Sequence, residues 1–110
     1  MDSPVIFAVC GSETITNCEF EKLFHIASTK RRERANRFYR REDASRSLLA
    51  EAILKYSIIN QTGKFITSED IEFNEYGKPM LPGTGLHFNI SHSGEWVVCA
   101  ISNKEIRNPK

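Results

Sequence analysis

The sequence predicts an α+β domain in which a small antiparallel sheet packs against one long helix. Two observations carry this. After one early apolar run, the first part of the chain repeats apolar residues every three or four positions, the period of helices buried on one face. The later part instead shows short apolar runs separated by turn residues, which is how strands read. Helices followed by adjacent strands with short connections favour an antiparallel sheet covered by the best helix.

Taken in order, residues 5–9 form a short, partly β-branched run that predicts a first strand. Thr16-Asn17-Cys18-Glu19 has the spacing of a capping box, and Phe20, Leu23, Phe24 and Ala27 then recur at helical intervals. Ser28 or Thr29 can cap a second helix, short and very basic, with Ala35, Phe38 and Tyr39 on one side. Asp43 is the expected cap of the long helix, in which Leu48, Leu49, Ala52, Ile53, Tyr56 and Ile59 repeat until Gly63 ends it. Beyond it the period changes. Ile71-Glu72-Phe73 reads as a strand fragment, Tyr76-Gly77-Lys78-Pro79 as a turn, 86–90 as a second strand, and 96–101, after the turn Ser93-Gly94-Glu95, as a third.

Composition narrows the function classes. A chain of 110 residues with 40% hydrophobic and 26% charged residues fits one globular domain rather than a disordered or fibrous protein. The apolar run near the start lacks the basic flank and the length of a secretory signal or a membrane span, so a cytoplasmic protein is expected, with no membrane partner. Cys10, Cys18 and Cys99 form no C-x-x-C pair and no cluster with His25, His87 and His92, which predicts reduced, mostly buried thiols and no metal site.

The net charge of +1 conceals an asymmetry. Lys30, Arg31, Arg32, Arg34, Arg37, Arg40, Arg41 and Arg46 lie close together, opposed locally only by Glu33, Glu42 and Asp43. Such a block attracts anions: phosphate, nucleic acid or an acidic protein. Arg31 and Arg34, three apart, project from one helix face, and guanidinium forks match phosphate oxygens in bidentate geometry. Arg41 falls on a similar stripe, and Arg46 and Ser47 can add donors near the positive end of the long helix.

Two further segments suit phosphate. His92 stands between Ser91 and Ser93 just after a predicted strand, where hydroxyls and imidazole offer donors to one anion. A serine–histidine hydrolase is disfavoured because no positioned acid accompanies the pair. Gly77 allows close backbone approach, Lys78 supplies charge, and Pro79 stiffens the exit of the turn. Asp70 and Glu72 alternate as a metal-binding pair on a strand would, though exposed strand charges explain them better. No residues are assigned as catalytic and none as metal ligands.

Arg37-Phe38-Tyr39, Glu42-Asp43-Ala44, Arg46-Ser47-Leu48-Leu49, Tyr76-Gly77-Lys78-Pro79, Phe88-Asn89-Ile90-Ser91-His92-Ser93-Gly94 and Trp96-Val97-Val98 occur in the order and spacing of a known family. The chain resembles the amino-terminal half of the 4'-phosphopantetheinyl transferase superfamily, surfactin-synthetase-activating type, over most of its length. The resemblance implies one half of a pseudo-twofold fold, with residues 1–110 as the amino-terminal half-domain. It implies transfer of the phosphopantetheine arm of coenzyme A, with magnesium, to a serine of an acyl or peptidyl carrier protein. Arg31, Arg34, Ser47, Ser91 and His92 match positions that hold the 3'-phosphate of coenzyme A, and Gly77, Lys78 and Pro79 match the turn that contacts adenine and phosphate.

In the larger relatives, magnesium-binding acids and a catalytic glutamate belong to the second half; here Arg107-Asn108-Pro109-Lys110 stands where those acids are expected to begin. The expectation is therefore a truncated form, incomplete for catalysis alone, with a second half or self-association completing it. Two other readings accompany it. One is a non-catalytic module binding coenzyme A or another 3'-phosphonucleotide. The other, least favoured, is a small nucleic-acid-binding protein using the basic block on backbone phosphates.

Overall fold

The computed structural model describes residues 4–67, 70–73, 75 and 79–103. Within them the elements run β1 (Val5–Cys10), α1 (Asn17–Ile26), α2 (Thr29–Arg37), α3 (Arg41–Thr62), β2 (Glu72–Phe73), β3 (Pro79–Leu81), β4 (Leu86–Ser93) and β5 (Trp96–Ser102). The α+β class is as expected.

Local chemistry sets the helix boundaries. Thr16 and Glu19 close the capping box in both directions, with Glu19 N–H donating to Thr16 Oγ1 at 3.1 Å and Thr16 N–H to Glu19 Oε1 at 2.8 Å. Ser28 caps α2 by accepting from Arg31 N–H at 3.1 Å. Gly63, at φ 71°, ends α3 in the left-handed region that glycine adopts without a Cβ clash. Asp43 is not the cap of α3. The helix begins two residues earlier at Arg41, the N-cap Arg40 makes no side-chain cap bond, and Asp43 sits in the first turn and accepts from Arg46.

The strands form one antiparallel sheet in the order β1-β5-β4-β3-β2. In β5, Val97, Cys99 and Ile101 face inward, and their partners across the ladders are Val9, Phe7 and Val5 on β1 and His92, Ile90 and Phe88 on β4. Residues directly opposite share a face, so all nine lie on the side of the sheet that α3 covers. There Phe88, Cys99, Val97 and Ile101 pack with Ile53, Leu54 and Ile58.

On its other side α3 meets α1 and α2, where Ala44 and Leu48 pack with Ala27 and Ala35. Being covered on two sides explains why the single apolar stripe misreads the phase of α3. Leu54 and Ile58, outside that stripe, are fully buried, whereas Tyr56, inside it, is 59% exposed. Phe38 and Tyr39 likewise do not pack inward, because α2 ends at Arg37 and both lie on the exposed elbow before α3.

Three further expectations change. Pro79 opens strand β3 and pairs with Phe73, a first-of-strand position where proline forfeits no ladder bond. Strand β4 runs through Ser91 and His92 to Ser93 rather than stopping before them. Cys10 and Cys18 are exposed, and Cys99 alone is buried; the outward pleat of β1 and the polar face of α1 carry the other two.

Candidate functional site

Arg31 is built into the molecule rather than laid on its surface. Its side chain is 14% exposed, its Nε donates to Glu51 Oε2 at 3.1 Å and its Nη1 donates to Ser47 Oγ at 3.0 Å. Glu51 also accepts from the backbone N–H of Ser28 at 3.0 Å and from its hydroxyl at 3.3 Å, and lies 3.5 Å from Lys55 Nζ. Ser47, Glu51 and Lys55 fall four apart on α3, so one stripe of that helix faces the start of α2.

Burial pushes the Arg31 guanidinium below its usual pKa; Glu51 opposes this, and the neighbouring Arg34 adds to it. Arg34, one turn on, is exposed. Arg31 and Lys55 both pair with the one carboxylate of Glu51, and with Arg34 nearby this corner is net positive.

Arg46, the chain neighbour of Ser47, does another job. It donates through Nη1 to the Gly94 carbonyl at 3.2 Å, pairs with Asp43 through Nη2, and lies 3.6 Å from Glu13. The Glu95 carbonyl accepts from Gly11 and Ser12 N–H at 3.0 and 3.1 Å, fixing the loop after β1 to the same hairpin tip. Arg46 is thus a tie between α3 and the β4–β5 turn. That tie sets the Ser91–Gly94 segment against the first turns of α3, which carry Ser47.

Within that segment the strand's two-residue period separates the side chains. His92 is exposed on the face that α3 covers further along, while Ser91 and Ser93, opposite Val98 and Trp96, point to the other face. The three side chains do not converge on one anion. Pro79 lies on β3, the next strand beyond β4, and Gly77 and Lys78 lie outside the described residues.

The rest of the basic block is largely engaged in the fold. Arg32 caps the carboxyl end of α1 by donating to the Phe24 and His25 carbonyls, joined there by Lys55 from outside the block, which donates to the Ile26 carbonyl at 2.9 Å. Arg41 stacks over Phe20 at 4.5 Å and Arg37 donates to the Glu33 carbonyl at 3.3 Å.

The described residues do not fit a magnesium ion, since no three carboxylate, imidazole or thiol groups among them cluster as ligands. Asp70 precedes β2 and its carboxylate accepts from Thr67 N–H and Thr67 Oγ1 at 2.8 and 3.3 Å, so the alternating strand pair imagined for Asp70 and Glu72 does not exist. Among the described residues no helix is long and apolar enough to cross a membrane.

The family model described as 4'-phosphopantetheinyl transferase, N-terminal, matches residues 14–104. The chain belongs to the 4'-phosphopantetheinyl transferase family. It is 38% identical over 104 residues to the 4'-phosphopantetheinyl transferase Sfp of Bacillus subtilis strain 168, which covers 92% of this chain and 46% of that relative. With the 4'-phosphopantetheinyl transferase gsp of Aneurinibacillus migulanus it shares 43% identity over 89 residues, 79% of this chain and 36% of the relative. The chain spans about half the length of the curated transferases it matches.

Sequence reasoning overlooked Glu51. A lone acid within an apolar helix carries little signal, and the available clue was its four-residue spacing from both Ser47 and Lys55. The contact of Arg46 with the β4–β5 turn was overlooked for a related reason, its backbone acceptor at Gly94 being far away in the chain.

Proposed function

We propose that this chain is the coenzyme A-binding, amino-terminal half-domain of a 4'-phosphopantetheinyl transferase that modifies a serine of acyl or peptidyl carrier proteins in the cytoplasm. The observation that carries the reading is the partly buried Arg31, fixed 3.0 Å from Ser47 on a net-positive corner. A phosphate monoester is the ligand such a corner suits, because its oxygens accept from a guanidinium fork, a hydroxyl and an imidazole together. Arg31, Arg34, Ser47 and His92 would hold the 3'-phosphate, and Gly77, Lys78 and Pro79 the adjoining part of the nucleotide. Ser91 belongs to the same segment, but its side chain faces away from His92.

In this reading the chain's own residues bind and orient the nucleotide, leaving its pyrophosphate to be engaged elsewhere. Magnesium would neutralise that pyrophosphate during transfer, with carboxylates this half does not assemble among its described residues. A second half or a second copy would complete the site.

The test is calorimetric titration of the purified chain with coenzyme A and 3'-dephospho-coenzyme A, with and without magnesium, beside carrier modification followed by intact mass. Selective binding of the 3'-phosphorylated form is the expected result, and equal affinity for the two ligands overturns the reading. The second reading, a non-catalytic coenzyme A or 3'-phosphonucleotide module, is marked by binding that magnesium leaves unchanged and by an unmodified carrier.

A further inference from the structure

The chemistry of Glu51 does not follow from simple charge counting. It is an acid placed within hydrogen-bond distance of an arginine assigned to an anion, and on Coulomb's law alone it should weaken anion binding. Its side chain is only 5% exposed, and burying a carboxylate is costly unless it is fully paired. Here it is well paired. Four donors converge on it: Arg31 Nε, Ser28 N–H, the Ser28 hydroxyl and Lys55 Nζ.

Three of those donors belong to the first turn of α2 or its cap. Glu51 therefore sets where α2 begins, through Ser28, and how Arg31 is turned. With Nε on Glu51 and Nη1 on Ser47, the plane of the Arg31 guanidinium is fixed from two sides by α3. An arginine carries several rotatable bonds, and immobilising such a side chain only when ligand arrives subtracts from affinity. A guanidinium already held in place avoids that loss.

We infer that Glu51 is a positioning residue for the 3'-phosphate grip: a buried carboxylate that locks Arg31 against Ser47, so that its removal weakens binding of 3'-phosphorylated ligands although it removes a negative charge. The inference rests on the 3'-phosphate reading of the site. Its sign sets it apart from bulk electrostatics, which predicts tighter binding for a neutral residue at this position. Its selectivity for the 3'-phosphate sets it apart from a purely structural role, which would lower affinity for coenzyme A and 3'-dephospho-coenzyme A alike.

The experiment compares wild-type chain, Glu51→Gln, Glu51→Ala, Arg31→Ala and the double variant Arg31→Ala/Glu51→Gln by calorimetry with both ligands, with far-UV circular dichroism and thermal melts as the check on folding. The expected result is a loss of about tenfold or more in coenzyme A affinity for Glu51→Gln, with 3'-dephospho-coenzyme A held within about twofold. The double variant should bind no worse than Arg31→Ala, because the two residues act as one unit. Unchanged or tighter coenzyme A binding by Glu51→Gln, while Arg31→Ala weakens it, overturns the role of Glu51 and leaves the 3'-phosphate reading standing. If Arg31→Ala itself has no effect, that reading falls and this inference with it.

The wild-type chain offers a check that needs no variant. Its Arg31 Nε–H proton, read by NMR, should exchange slowly with solvent before ligand is added. Fast exchange in the free chain overturns the preorganised arginine.

Discussion

Arg31 and His92 make opposite demands on the fold: one is held among partners and partly buried, the other exposed on a strand. Replacing either with alanine should cost about 1 to 3 kcal/mol of coenzyme A binding, the range of a charge-assisted hydrogen bond, measured by calorimetry at fixed salt. Ser91→Ala should cost measurably less than His92→Ala, because the pleat of β4 turns the serine to the other face of the sheet. Equal losses would show that the strand end twists both side chains to one ligand. The residues of the candidate site were legible where type and local spacing sufficed, as for Arg31 and Ser47. They were illegible where a tertiary partner decides the role: Glu51 gains its meaning from Ser28 and Arg31, and Arg46 from the carbonyl of Gly94.

The helices show the same division. The Thr16–Glu19 box and the Ser28 cap could be read from sequence because capping is a matter of three or four residues. The start of α3 could not, since Arg40 has no capping side chain and tertiary contact holds the first turn. Strand β3, three residues opening on proline, gives no period of its own and exists through pairing with β2 and β4. Ser28→Ala should destabilise the chain by about 1 kcal/mol for the lost cap, and by more if the hydroxyl bond to Glu51 counts, as read from denaturant midpoints. The Glu19 carboxyl is held below its ordinary value of 4.5, chiefly by the backbone N–H of Thr16. A depressed acid stabilises the folded state above its unfolded pKa and loses that contribution as pH falls through the folded one. Stability should therefore decline on acidification through the carboxylate range, and Glu19→Gln should remove that part of the decline in melts recorded against pH.

Because α3 contributes to both buried clusters, the helical layer and the sheet cannot come apart independently. Denaturation should be one transition, with far-UV dichroism from the helices coinciding with fluorescence from Trp96, the single tryptophan, on β5. Phe88→Ala should cost about 3 to 5 kcal/mol, a large share of the roughly 5 to 15 kcal/mol that holds a domain of this size together. Non-coincident curves would mean that the layers unfold separately. The ladder between β1 and β5, in which Val5 pairs with Ile101, also bears on how the molecule is made. Among the described strands β1 pairs with β5, which lies far later in the chain, so helical contacts can form during synthesis while β1 waits with an open edge. Completion of the sheet is thus timed by the end of translation of β5, and a pause before residue 96 would leave an apolar strand exposed to whatever else can pair with it.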